Sequence, residues 1–457
     1  MEKKHIASKV ESVVLLVFIL GMIGYFIIGL KAPPHIPILF AFMVTLGFGF
    51  VKRVSWSVMD KGMREGISSG IVPIFIFILI GVLIGVWVAS GTIPTMIVYG
   101  FEFVSRDFFL VTVFVVCAIV GTSIGSAFTT AATVGIAFIG MGGALGYDLA
   151  IVAGAIISGA FFGDKMSPLS DTTNLSPAVA GADMFEHIKN MMWTTIPAFV
   201  ISFILFFIVG MNVSSETTVE LTLFQDTLRE YSIISPITLI GPLLLFVFAW
   251  RKIPAIPTLL VGILSGVILI FVFQPETTMQ QLVSIMQDGV KSQTGVADVD
   301  ALLTRGGIQS MMWSVSLILL SLGMGGLLIE LGIIAQLVHA ISSLVNTTGK
   351  LVLSTACTAM GINFILGEQY LSIILTGKAY AEKFQELDLH PKNLSRVLED
   401  AGTVINPLVP WGVSGVFLTA TLGVPTMEYL PFAFFCLLCP VITVILGFTG
   451  IGITKTR

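Results

Sequence analysis

The chain has 457 residues, of which 55% are hydrophobic and only 11% charged, with a mean hydropathy of +0.99. Soluble domains carry about 25% charged residues, so this composition excludes a water-soluble fold and indicates an all-α polytopic membrane protein. The formal net charge of −4 comes with no basic patch, so nucleic acid is excluded as a partner and the lipid bilayer is the expected surrounding.

The first apolar run, 12–30, follows a charged start without a small-residue cleavage site and is expected to be a retained span. A short span at 36–51 follows Pro33-Pro34-His35, then a basic loop at 52–68 and a span at 71–98. Residues 108–145 are apolar but interrupted by Gly121-Thr122-Ser123 and by Thr129-Thr130, which suggests a re-entrant hairpin. A broken segment at 149–180 and a span at 191–211 close the first half. The stretch 212–231 holds Glu216, Glu220, Asp226 and Glu230 and reads as an acidic external linker. Spans at 232–250 and 254–273 follow, then a polar loop at 274–310, a span at 311–340, a hairpin at 351–377, a broken segment at 396–420 and a last span at 430–450. Cys117, Cys357, Cys436 and Cys439 all lie in apolar runs, and the C-x-x-C pair reads as packing rather than redox chemistry.

The pattern restarts after the linker. Arg64 and Arg305 are separated by 241 residues, Cys117 and Cys357 by 240, and Gly163 and Gly402 by 239. Residues 1–211 and 232–457 therefore read as two repeats, each of about five transmembrane helices plus a hairpin. An odd number of crossings inverts the second repeat. Lysine and arginine placement supports this, with Lys3, Lys4, Lys9, Lys52, Arg53, Lys61 and Arg64 inside and Lys31, Arg106, Arg229, Lys291 and Arg305 outside. Both termini are expected in the cytoplasm. Inverted repeats with paired hairpins and discontinuous helices are the architecture of elevator-type secondary transporters.

The chemistry concentrates in Gly163-Asp164-Lys165-Met166-Ser167-Pro168-Leu169-Ser170-Asp171-Thr172-Thr173-Asn174. Charged groups at membrane depth are costly and normally face a cavity or a partner. Proline within a Ser/Thr cluster breaks the helix, and irregular backbone there survives where it lines a site. Carboxylate and hydroxyl oxygens suit a hard cation, so Asp164 and Asp171, with Ser167, Thr172, Thr173 and Asn174, are candidate ligands for sodium. A carboxylate in such a place can also hold a proton, and a site that takes one or the other exchanges them. Asp171 or Ser170 alternatively caps the second half-helix, and Asp164 alternatively pairs with Lys165. The second half offers Asn363 and Glu368 in its hairpin and Glu399, Asp400, Thr403 and Asn406 in its broken segment. No phosphate-binding loop occurs, so an ion gradient is the expected energy source and no cofactor is implied. No nucleophile–base pair is visible, so an enzyme is not expected.

The Gly163–Asn174 run resembles the signature of the NhaC family of sodium/proton antiporters. So do Gly121-Thr122-Ser123 with Thr129-Thr130, Pro34-His35-Ile36-Pro37 and Asn406-Pro407-Leu408-Val409-Pro410-Trp411, and the resemblance spans essentially the whole chain. It implies a bacterial inner-membrane antiporter exchanging sodium ions for protons, with a homodimeric scaffold. Thr122, Ser123, Thr129 and Thr130 then form a hairpin tip facing Asp164 and Asp171. Members resembling sodium-lactate/malate-proton exchangers make an organic-acid cargo the alternative.

Overall fold

The computed structural model describes residues 7–103, 105, 108–211, 218–342 and 346–456. Helices dominate in the order α1 (Lys9–Gly24), α2 (His35–Val51), α3 (Trp56–Ser69), α4 (Ile71–Ala89), α5 (Thr92–Phe103), α6 (Phe109–Ile124), α7 (Ala127–Ala144), α8 (Leu149–Met166), α9 (Asp171–Ala180) and α10 (Met184–Gly210). The chain continues through α11 (Thr218–Tyr231), α12 (Ile240–Trp250), α13 (Ala255–Phe273), α14 (Met279–Asp288), α15 (Ala297–Leu303), α16 (Ile308–Glu330) and α17 (Ile333–Ser342). It ends with α18 (Thr348–Leu366), α19 (Gln369–Glu386), α20 (Pro391–Leu398), α21 (Val413–Leu422), α22 (Thr426–Tyr429) and α23 (Phe434–Thr449). Among the described residues 8 helices are long and apolar enough to cross a membrane, or up to 11 if each of three bent pairs is one span. The outer faces of these helices expose large apolar side chains such as Val17, Trp193, Ile196 and Leu264, as lipid-facing surfaces require.

Three stretches expected as loops are helical. The basic segment 52–68 forms α3, because Met59, Gly62 and Gly66 make a buried stripe that packs on α16. There a Cβ on Gly326 would meet the Gly62 carbonyl oxygen at 2.1 Å, so the two backbones touch. The acidic linker forms α11, which stands at 88° to the helix Pro236–Trp250. The polar stretch 274–310 holds α14 and α15, joined by a knot on Asp300. Its Oδ1 accepts from Ser292 Oγ at 2.8 Å, Thr294 N at 2.6 Å and Thr294 Oγ1 at 2.9 Å, and its Oδ2 accepts from Gly295 N at 3.1 Å. Four hydrogen bonds hold the Asp300 carboxyl below the usual carboxylate range. The charges Lys3, Lys4 and Arg106 and the linker acid Glu216 lie outside the described residues.

Helix boundaries recur at a constant separation of 242 residues. Gly125 ends α6 at φ 73°, and Gly367 ends α18 at φ 70°. Asp148 caps α8 and His390 caps α20, each accepting from the backbone two residues on. Gly181 and Gly423 close α9 and α21 at φ 76° and 75°. These three separations are 242, against the 239 between Gly163 and Gly402, and 242 residues on from Asp164 stands Asn406.

The C-terminal segment is strapped onto the start of α20. Thr454 N donates to Asn393 Oδ1 at 3.1 Å, Asn393 Nδ2 returns a bond to the Thr454 carbonyl at 2.6 Å, and Arg396 Nη1 reaches the Gly452 carbonyl at 2.9 Å.

Candidate functional site

Helix α8 stops because Pro168 follows its last turn and has no N–H to continue it. Four residues separate it from α9, whose N-cap is Ser170. The break is braced locally. Thr173 Oγ1 donates to the carbonyls of Asp164 and Lys165 at 3.2 and 3.0 Å, satisfying the frayed end of α8. Asn174 Nδ2 donates to the Pro168 and Ser170 carbonyls at 3.0 and 2.7 Å, and Ser167 Oγ accepts from Leu169 N at 3.2 Å. Helix α6 lies against the break at backbone distance. A Cβ on Gly163 would sit 2.4 Å from Thr122 N, so only glycine permits this crossing.

The second break is built differently. Glu399–Thr403 is a π turn and Asn406–Leu408 a short 3-10 turn. Asn406 accepts from Ser414 N at 2.8 Å and donates to Asn363 Oδ1 at 2.9 Å, while Asn363 donates to the Gly402 carbonyl at 2.6 Å. The Asn406 amide is therefore consumed by holding its own break closed.

A cavity of about 750 Å³ opens on the first break. Its wall comprises the Gly125–Thr129 turn between α6 and α7, Asp164, the segment Pro168–Thr172, and Gln369 and Tyr370 at the start of α19. The opposite side is Lys252 through Thr258 with Val72 and Pro73 of α4. Asp164 is 8% exposed and faces this space, and Asp171 lies on the open wall beside Tyr370. Ser170 Oγ and Thr172 Oγ1 stand 3.1 Å apart between them. Two carboxylates, the hydroxyls of Ser126, Thr129, Ser170 and Thr172, and the Tyr370 hydroxyl thus share one cavity. Among the described residues no group of three His, Cys, Asp or Glu side chains could hold a metal ion, so the oxygens offered to a cation here are two carboxylates supplemented by hydroxyls.

The remaining residues expected at the site stand elsewhere. Thr122, Ser123 and Thr130 turn their hydroxyls back onto the carbonyls of Ala118, Ile119 and Ser126 at 2.7, 2.8 and 2.9 Å. Glu368 is fully buried; its Oε2 accepts from Leu371 N at 2.7 Å and caps α19, while its Oε1 has no hydrogen-bond partner. Asp400 is fully buried and paired with Lys165, which rejects the adjacent Asp164 as the lysine's partner. Lys165 also contacts Thr194 Oγ1 at 3.3 Å and Cys439 Sγ at 3.7 Å. Sequence reasoning named Ser170 only as a helix cap, passed over Ser126, Gln369 and Tyr370 at the cavity, and did not pair Lys165 with Asp400. The first three sit at helix starts, where a capping role and a cargo-facing role look alike in sequence.

A family model described as the Na+/H+ antiporter family matches residues 6–173 and 159–451. The Na(+)/H(+) antiporter NhaC of Alkalihalophilus pseudofirmus is 44% identical over 457 residues, spanning 100% of this chain and 98% of that protein. A protein of Bacillus subtilis with the same description is 40% identical over 95% of this chain and 96% of its own length. The Malate-2H(+)/Na(+)-lactate antiporter of Bacillus subtilis is 33% identical over 100% of this chain and 98% of its own length.

Proposed function

Because the chain belongs to the Na+/H+ antiporter family of NhaC type, we propose that its exchange of sodium ions for protons runs through the cavity at the first helix break. Asp164 and Asp171 hold the sodium ion there, with Thr129, Ser170 and Thr172 completing its oxygen shell. One observation supports this above the others: a nearly buried carboxylate, Asp164, opens onto a cavity of about 750 Å³ where the helix is interrupted. Proton and sodium compete for the same carboxylates, and the exchange follows when the loaded site is presented to alternate sides. Glu368 and Asp400 assist from behind the wall, and Ser167, Thr173, Asn174, Thr122, Ser123, Thr130, Asn363 and Asn406 hold the two breaks in shape.

The 242-residue recurrence of caps supports two repeats, and the charge distribution supports their inverted insertion with both termini in the cytoplasm of a bacterial inner membrane. The paired hairpins and broken helices then move as a transport body against a scaffold that dimerises. The chain is a multi-pass membrane protein driven by ion gradients rather than an enzyme, and it takes up protons from outside while expelling sodium.

Everted vesicles test the cation reading. Asp164→Asn abolishes sodium-driven dequenching of a pH probe, and full retention of the signal removes Asp164 from the mechanism. A second reading has one observation in its favour. The cavity is many times larger than a sodium ion, and the 33% identical relative is described as a malate/lactate exchanger. Uptake of labelled malate or lactate that needs both the sodium and proton gradients supports an organic-acid cargo.

A further inference from the structure

Behind the cavity wall lies a carboxylate that the reading above does not use. Glu399 is 0% exposed at the head of the π turn Glu399–Thr403. Its Oε2 accepts from Ser176 Oγ at 2.5 Å, and its Oε1 has no hydrogen-bond partner. Thr172 lies beside it, and Thr172 is hydrogen-bonded to Ser170, which lies beside Asp164. A file of hydroxyls therefore joins the cavity carboxylate to the buried one.

The surrounding charges do not balance. The segments packed here bring Asp164 and Lys165 from α8 and Cys439 from α23. Arg396 and Asp400 stand on the same stretch as Glu399, and Glu368 caps the neighbouring α19. Lys165 is taken by Asp400 and makes no ion pair with Glu399 within 4.0 Å. Arg396 points to the Asn190 and Gly452 oxygens at 3.3 and 2.9 Å. Four buried carboxylates, Asp164, Glu368, Glu399 and Asp400, meet two basic groups, Lys165 and Arg396, so with every acid ionised the cluster carries two negative charges in excess. Buried charge of this kind is relieved either by a proton or by a further cation beside it, the two species that the proposed exchange swaps. Glu399 keeps one oxygen free for such a cation, and Thr172 and Ser170 connect it to Asp164.

We propose that Glu399 is a direct ligand of the transported sodium ion, facing Asp164 across it, with Ser170 and Thr172 between. The inference rests on Asp164 as the cation carboxylate and extends the site inward from the cavity. The bland alternative is that Glu399 only balances Lys165. The existing pair with Asp400 and the unpartnered Glu399 oxygen argue against it.

The experiment uses the purified full chain in detergent, with thermal unfolding followed in NaCl, in LiCl and in choline chloride. Ligand binding to the folded state raises the unfolding temperature, so the dependence on NaCl reports affinity. Glu399→Gln keeps the size and the Ser176 acceptor, and weakens the apparent sodium affinity at least tenfold. Unchanged affinity in this variant, alongside loss in Asp164→Asn, overturns the role of Glu399 and leaves the cavity reading standing. Unchanged affinity in Asp164→Asn overturns the cavity reading itself. Glu399→Asp serves if the glutamine variant does not fold. It keeps the charge and retracts the oxygens, so it changes the lithium-to-sodium affinity ratio if the carboxylate touches the ion. A ratio equal to wild type overturns the proposal.

Discussion

Ser126 and Glu368 perform the same task 242 residues apart. Each follows a left-handed glycine, and each accepts the N–H three residues on, Thr129 N at 3.2 Å and Leu371 N at 2.7 Å. A serine does this with its only oxygen, whereas a glutamate has a second one left over. Glu368→Gln retains a carbonyl acceptor, so its stability stays within about 0.5 kcal/mol of wild type. Sodium-dependent proton exchange in vesicles falls about tenfold, because the spare oxygen no longer carries charge. Glu368→Ala removes the cap and costs about 1 kcal/mol in unfolding as well. Unchanged exchange in Glu368→Gln argues against a role beyond capping.

The Lys165–Asp400 pair is the most exacting contact in the buried region, since both side chains are 0% exposed. Lys165→Met strands the carboxylate and destabilises the protein by about 3–5 kcal/mol. Combining it with Asp400→Asn recovers most of that loss. A double-mutant cycle on unfolding in detergent measures the coupling, and additive losses would contradict the pairing.

Helices α6 and α8 touch through glycine. Gly163→Ala drives a methyl group toward Thr122 N, which lies at 2.4 Å from the ideal Cβ position. The expected cost is about 1–3 kcal/mol, visible as a lower unfolding temperature. Gly361→Ala is the control, because a Cβ there meets nothing within 4 Å.

Asp300 anchors the turn between α14 and α15. Its folded-state carboxyl titrates below the unfolded value, so the stabilisation is present above about pH 3.9 and is lost as pH falls through the lower folded value. Asp300→Asn therefore makes residues 289–304 more sensitive to proteolysis at pH 7. The difference from wild type narrows below about pH 4 as the native carboxyl also loses its charge.

The helix break was legible because Pro168 and the hydroxyl cluster have no other place in an apolar run, and the NhaC resemblance follows from the same twelve residues. The all-helical, multi-pass fold follows from hydropathy. What sequence does not convey is direction. Thr122, Ser123 and Thr130 have the same chemistry as Thr129 and Thr172, yet they bond backward to main-chain carbonyls of their own helix, while Thr129 and Thr172 bond to the cap hydroxyls of Ser126 and Ser170 on the cavity wall. The partner of Lys165 was equally hidden, because Asp400 is 235 residues away and Asp164 is adjacent. The helical segments α3 and α11 were misread as loops because their charged faces lower the hydropathy that marks a span.

The strap at the C-terminal segment sets an order on biogenesis. Arg396 finds its carbonyl acceptor only on Gly452, and Asn393 its reciprocal partner only on Thr454. The nascent polypeptide therefore cannot seal the base of α20 until Gly452 and Thr454 have been made. A chain lacking Gly452 and Thr454 keeps the buried Arg396 guanidinium on Asn190 Oδ1 alone and leaves Asn393 without its reciprocal pair, so the base of α20 loosens.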